Sequence, residues 1–557
     1  MAVVEAALAA LAGAGLAVAM TWPLVLDLGS DIGKDLGDPL LQAWQVAWIG
    51  HALLHQPLDL WQANTFWPYS DTLAFSDALI GYAPAGLVAQ RSPETALVVY
   101  NLLFLFAYAL AFLGAYLLAR ELGAGRFGGF AAGAAFAYAP WKLAQNGHLH
   151  VISSGGIPIA LFLLVRGYRR RSAALVLGGW LVAAWQMTLG FALGLQLAYL
   201  LAFLGAVGAL VWLRRRAQAP DRRLVAASAL GIAVFVSVTA FQARPYLRVA
   251  DEFPEARRTP AYVESFSPEP RSFLAAPSQS WLWADASHRA RAPLPAPDEM
   301  SLFPGLTISL LALVGVIGSV YRRRLRFGLA TGVVVCALLS LGVRDVAGLE
   351  AYLTPYRLLY EIAPGWNGVR APGRINTLTS LGLALLAGAG LCVLLRHARG
   401  RAVSSRRAIR AAPAVGVGLL VGAILVEGLG PLAHPAVPPV PAGQRFASPP
   451  QFHLPAGFHE DLVYSYWSTQ DFPATVNGAG GFDPDAYDRL RKITAGFPDA
   501  RSVSALRELG VRTVVLHPEL APGTSWQDAA ERPIAELPLE REITGGVVLY
   551  RLDALPP

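Results

Sequence analysis

Charge is scarce in this chain. Only 15% of its 557 residues are Asp, Glu, Lys or Arg, whereas soluble proteins carry about a quarter. With 54% hydrophobic residues, that deficit excludes an ordinary water-soluble protein. Cysteine is nearly missing too. Cys336 and Cys392 both sit in apolar runs, so no disulfide framework or cysteine-based zinc site is expected. No Lys or Arg precedes Lys34, and Glu5 interrupts the opening apolar stretch. A signal peptide wants a basic start, so the N-terminus reads as an uncleaved first span. There is no internal repeat, no P-loop and no GxGxxG between a strand and a helix. The Gly-Ala-Gly-Gly at 478–481 reads as a turn. The net charge of +7 does not point to nucleic acid, because the basic residues flank apolar runs. Anionic lipid headgroups are the fitting partner there.

What the chain does have is arginine, in five clusters set between long apolar stretches: Arg120/Arg126, Arg166/Arg169/Arg170/Arg171, Arg214–Arg216 with Arg222/Arg223, Arg322–Arg324 with Arg326, and Arg396 through Arg410. Basic loops stay cytoplasmic. A spanning helix needs about 20 mostly apolar residues. Spans are expected near 5–26, 94–119, 127–145, 151–167, 173–189, 191–213, 224–242, 303–320, 327–343, 375–395 and 412–430. With the N-terminus inside, these eleven spans put all five clusters on one face. The segments 27–93 and 243–302, the 344–374 connection and the tail 431–557 then lie outside. The expected architecture is a polytopic α-helical membrane domain over 1–430. A Pro-rich linker follows, then a small extracytoplasmic α/β domain within 431–557. Strands are expected over Leu462–Tyr466, Val511–Leu516 and Val547–Leu552, and helices over Asp485–Ile493 and Ala500–Leu509.

The ionisable residues gather in the outer segments. Asp38-Pro39 marks a helix start, Asp as the cap and Pro in the first turn. Trp44, Trp48, His51 and His55 then share one face; their tryptophans suit a helix lying in the membrane interface, and the alternative is an ordinary packed face. Asp38 is a plain cap or a carboxylate that activates a hydroxyl or binds a divalent metal. Asp77 poses the same alternatives. His148 and His150, two residues apart, suit hydrogen bonding to a ligand or simple solvation better than a metal site. Arg370 and Arg374 flank Pro372 at the outer start of a span, where positive charge needs a reason. They would bind a lipid phosphate or reach toward headgroups. Trp281 and Trp283, in the long 243–302 segment, could pack on lipid or on a sugar ring.

Several short landmarks resemble bacterial polytopic membrane proteins of the GT-C glycosyltransferase class. They are Gly37-Asp38-Pro39-Leu40-Leu41 with Trp44, Asn64-Thr65-Phe66-Trp67-Pro68, Leu73-Ala74-Phe75-Ser76-Asp77, Pro245-Tyr246-Leu247 and Phe303-Pro304-Gly305. Val369-Arg370-Ala371-Pro372-Gly373-Arg374 resembles the class's Arg-x-Pro-x-Arg element, and Leu506 to His517 a helix-to-strand passage of its outer domain. The resemblance implies a polyprenyl-phosphate-linked sugar donor, transfer outside the cytoplasm, and a catalytic carboxylate in the first outer segment. By position that is Asp38, with Asp77 second. The adjacent acidic pair that many such enzymes carry after the first span is absent, which leaves a divalent metal open.

The expected function is a glycosyltransferase of the bacterial cytoplasmic (inner) membrane, N-terminus inside and C-terminus outside, with Arg370, Arg374, His148, His150 and Trp44 on the substrate side. The alternative is a non-catalytic lipid-binding envelope assembly factor or a transporter. Transporters place ionisable groups near mid-membrane, and these apolar runs hold few.

Overall fold

The computed structural model describes residues 3–215, 221–344, 354–402 and 412–552. Arg216 and the 403–410 part of the last arginine cluster lie outside the described residues, as does 345–353 of the 344–374 connection. The chain forms two compact units. The first comprises 1–25, 103–242 and 258–432, and the second 26–102, 243–257 and 433–557. The long helices Pro93–Leu122 and Arg222–Glu252 contribute residues to both.

Among the described residues, six helices are long and apolar enough to cross a membrane, which makes this a multipass membrane protein. They are Val3–Met20, Pro93–Leu122, Leu149–Arg170, Phe191–Arg214, Arg222–Glu252 and Pro372–Ala398. The other expected spans fall on shorter or more basic helices: Gly125–Ala137, Ala173–Leu189, Leu306–Ile317, Arg323–Ser340 and Ala412–Glu427. The stretch 127–145 does not continue as one helix. It stops at Ala137 and re-forms as a 3-10 turn at Pro140, whose ring removes a helical donor.

In the first unit, Asn376–Ala402 is the central helix, packing on Leu306–Ile317 and Gly125–Ala137. Small residues set these contacts. A Cβ at Gly390 would lie 2.0 Å from the Leu311 carbonyl, and one at Gly388 2.3 Å from that of Gly128. Leu195, Val263, Val343, Tyr356, Trp366 and Val369 form a core that holds the segment leading to Arg370.

In the second unit, the tail folds as a four-stranded sheet in the order β1-β2-β4-β3, with β1 Gln451–Leu454, β2 Thr513–Leu516, β3 Glu540–Thr544 and β4 Val547–Arg551. β1 and β2 run parallel, and the other pairs are antiparallel. Helices Phe458–Trp467, Asp485–Thr494 and Ala500–Leu509 make the crossover from β1 to β2. Gly545 and Gly546, at φ 49° and 87°, make the two-residue turn of the β3–β4 hairpin, which needs positive φ at both positions. One expected strand is corrected: Leu462–Tyr466 lies inside the helix Phe458–Trp467. Asp461 to Trp467 are all buried, so no polar face reveals a helical period, and Glu460 and Asp461 favour a helix start.

Three buried polar residues tie this sheet together. His453 Nδ1 lies 3.0 Å from His517 Nε2. Gln451 donates from Nε2 to the Ala447 carbonyl, so its Oε1 accepts from His453 Nε2, and His517 must donate to His453 Nδ1. Burial pushes His453 down to about 3 and His517 well below the usual 6.5. Asp461, bonded to Asn477, Tyr487 and Arg491, goes the other way: burial outweighs Arg491 and raises it from 3.8 to about 6.

The two effects have opposite signs. Below pH 6.5 the unfolded chain takes up protons that the folded imidazoles refuse, so their contribution is lost as pH falls. Asp461 opposes folding most above 6 and regains that contribution toward 3.8. Two imidazoles outweigh one carboxyl. Hydrogen-exchange protection factors of the Val514 and Val515 amides should therefore be lower at mildly acidic than at neutral pH, and His517→Gln should weaken that dependence. Equal or higher protection in acid would contradict this.

Candidate active site

The first outer segment enters the second unit through the helix Asp38–His55. Gly37 holds the cap position and Asp38 is the first helical residue, so the expected Asp cap shifts by one position. Asp38 is half-buried. The helix does not present its tryptophans to lipid. Pro39 to Gly50 are buried throughout, and Trp44 and Trp48 are each 2% exposed. Trp44 donates from Nε1 to Asn64 Oδ1 (3.0 Å), and Asn64 in turn donates to the Pro473 carbonyl (2.9 Å). Trp48 donates to the Leu60 carbonyl (2.9 Å). The Asn64–Pro68 landmark is thus a strap: Phe66 and Trp67 donate their backbone N–H to Asn477 and Thr475 of the tail, and Thr475 returns one to Asn64. His51 stacks on Phe472 at 4.3 Å between centroids, and His55 lies tilted against His51 at 4.6 Å.

Asp77 is half-buried, and Tyr246 brackets it. The Tyr246 hydroxyl donates to the Ser76 carbonyl (3.1 Å) and accepts from the Ala78 N–H (2.8 Å), fixing the backbone on both sides of Asp77. The Pro245-Tyr246-Leu247 landmark therefore serves the second acidic candidate. Two residues further, Arg248 pairs with Asp71 at 3.0 Å. Burial raises Asp71 despite the nearby Arg248 and Arg244. The sequence reading assigned this pair no role, since 177 residues separate the partners.

The first unit holds Arg370, Arg374, His148 and His150, and centres them on Glu299, a residue that no sequence motif singles out. Glu299 is 6% exposed. Arg374 grips it with two prongs, Nη2 to Oε1 at 2.5 Å and Nε to Oε2 at 3.1 Å. Arg374 Nη1 lies 3.0 Å from His150 Nε2. A guanidinium only donates, so His150 accepts at Nε2 and is neutral there. Gln145 donates from Nε2 to the Asp298 carbonyl (2.7 Å), which turns its Oε1 to His148 Nδ1 (3.0 Å) and makes that nitrogen a donor. Burial pushes the Glu299 carboxyl up, but Arg374, His148 and Arg370 outweigh it and hold it well below the usual carboxylate range.

The Arg-x-Pro-x-Arg landmark acquires a physical reason. Pro372 starts the 3-10 turn Pro372–Ile375. A Cβ at Gly373 would lie 2.5 Å from the Glu299 carbonyl, so only glycine lets the turn press on that backbone. Arg374 then forks onto the carboxylate. The two arginines differ. Every nitrogen of Arg374 is engaged, whereas Arg370 is 31% exposed, 3.7 Å from Glu299 and 5.1 Å over the Phe266 ring. Of the two tryptophans in the long segment, Trp281 is 68% exposed and Trp283 packs on Phe303 at 5.2 Å.

Among the described residues, no three His, Cys, Asp or Glu side chains converge to hold a metal ion. The divalent metal left open by the sequence finds no ready ligand set there.

The apolar helices define a multipass membrane protein; its first unit holds a buried arginine–carboxylate–imidazole centre, and its second holds the half-buried carboxylates Asp38 and Asp77. Among solved structures, the chain is similar to the crystal structure of the Archaeoglobus fulgidus oligosaccharyltransferase in complex with Zn and sulfate, at TM-score 0.43 and 16% identity, over 98% of this chain and 73% of that one. It is similar to the apo form of that protein at TM-score 0.48 and 15% identity, over 99% and 74%. It is similar as well to ArnT from Cupriavidus metallidurans in the apo state, at TM-score 0.39 and 13% identity, over 97% and 98%. These neighbours are GT-C glycosyltransferases, the class that the sequence landmarks resemble. No protein-family profile and no curated protein matches the chain.

Proposed function

We propose that this protein is a membrane glycosyltransferase that moves a sugar from a polyprenyl-phosphate carrier to an acceptor on the extracytoplasmic side of a bacterial inner membrane. The observation that carries the reading is the unequal pair of arginines. Two guanidiniums face one carboxylate, and the more exposed of the two is that of Arg370. A partly exposed cation beside a neutralised partner suits an anion that arrives and leaves, as a lipid phosphate does.

In this reading Asp38 accepts the proton of an acceptor hydroxyl as that oxygen forms a bond to the anomeric carbon. The bond from that carbon to the phosphate oxygen breaks, and the polyprenyl phosphate departs with the electron pair. Arg370 stabilises the growing charge. Arg374 is a positioning residue, fixed by Glu299 and His150, and it anchors the turn Pro372–Ile375 that follows Arg370. Asp77, bracketed by Tyr246, is the second acidic group. No step passes through a metal.

Mass spectrometry of envelope glycans from cells with and without the protein tests this reading. One glycosidic substituent should disappear with the protein. An unchanged glycan profile, with the lipid-linked sugar pool also unchanged, would overturn it.

A further inference from the structure

An apolar crevice in the first unit is lined by none of the residues of the Glu299 centre. Val3–Met20, Ala412–Glu427 and the Tyr116–Phe130 region line it, with a volume of about 820 Å³. That is within the roughly 300–1,000 Å³ typical of small-molecule sites. Leu8, Phe127 and Val421 are among its apolar walls. Its floor along Ala412–Glu427 is made by Gly418 and Gly422, one turn apart, and a Cβ built on either would meet no atom within 4 Å. The space beside these glycines is therefore open rather than filled by a neighbouring helix.

One end of the crevice is charged. Glu5 is held by Arg120 at 2.6 Å and by the Tyr116 hydroxyl at 2.9 Å. Arg126 stands 3.6 Å from Glu5 and is 74% exposed. Arg120 and Glu5 satisfy each other, so the surplus positive charge at this end is that of Arg126.

We propose that the crevice binds an anionic glycerophospholipid, with one acyl chain along Gly418 and Gly422 and the headgroup phosphate on Arg126. Charge complementarity selects this occupant. A zwitterionic lipid would fill the apolar groove but gain less from a lone guanidinium at its end. The site takes no part in the proposed sugar transfer, so either claim can fail without the other.

Native mass spectrometry of the full-length protein with equimolar phosphatidylglycerol and phosphatidylcholine of identical chains tests it. Wild type should retain phosphatidylglycerol about fivefold better, the factor expected of one basic side chain at a lipid surface. Arg126→Gln, at an exposed position, should lose that preference while still retaining lipid. Gly418→Leu with Gly422→Leu should lower retention of both lipids, and Gly422→Leu alone serves if the double variant melts early. Equal retention of the two lipids by wild type, an unchanged preference in Arg126→Gln, or unchanged retention in the leucine variants would overturn the proposal. Displacement of phosphatidylglycerol by polyprenyl phosphate would overturn it as well, since the groove would then belong to the donor.

Discussion

Asp38→Asn should abolish most sugar transfer while leaving the protein folded. General-base catalysis contributes about 10²–10⁴ in rate, and the loss in turnover should fall in that range. Asp38 is the first helical residue rather than the cap, so Asn forfeits the favourable charge at the helix start, about 0.3–1 kcal/mol, and the helix Asp38–His55 is held chiefly by its buried residues 39–50. Its melting temperature should therefore stay near that of wild type. Turnover measured with a labelled polyprenyl-phosphate sugar, alongside thermal unfolding in detergent, separates chemistry from folding. Asp77→Asn should show a smaller loss. Unchanged turnover in Asp38→Asn would remove Asp38 from the mechanism, and a larger loss in Asp77→Asn would exchange the two roles.

Glu299→Ala should be the most destabilising single change in the first unit. It leaves the Arg374 guanidinium buried without its carboxylate, and breaking a buried ion pair in this way costs about 3–5 kcal/mol. Replacing both partners, as Glu299→Met with Arg374→Met, should be milder, because the buried guanidinium is removed together with its carboxylate. Arg370→Ala removes a half-exposed partner at 3.7 Å and should cost only about 0–1 kcal/mol. Its effect should appear instead as weaker retention of the lipid-linked donor. Thermal unfolding of the three variants checks the ranking. A Glu299→Ala protein as stable as wild type would show that the pair does not hold the turn Pro372–Ile375.

The contrast between these arginines shows what sequence reading could reach. Arg370 and Arg374 stood out because positive charge beside an outer span end needs a cause. Their partner did not, because Glu299 is one acid among many in a long loop and 75 residues separate it from Arg374. Only the fold brings them together. The short apolar runs of β2 and β4 marked two strands correctly. β1, where Gln451 and His453 interrupt the apolar residues, offered no such run, and the exposed edge strand β3 reads as polar. Trp44 and Trp48 were legible as one helical face. Burial, however, is a property of what packs against that face, and the residues that cover it come from elsewhere in the chain.

The proposed chemistry requires the acidic outer segment and the arginine turn to meet the same aqueous compartment. Single cysteines placed in a background lacking Cys336 and Cys392 would report this, using an impermeant maleimide on intact spheroplasts. Asp35→Cys, Asn367→Cys and Arg170→Cys are suitable positions, since all three side chains are exposed. The expected result is that positions 35 and 367 label from outside and position 170 only after the membrane is opened. If 35 and 367 label from opposite faces, Asp38 and Arg370 cannot serve one reaction, and the glycosyltransferase reading fails.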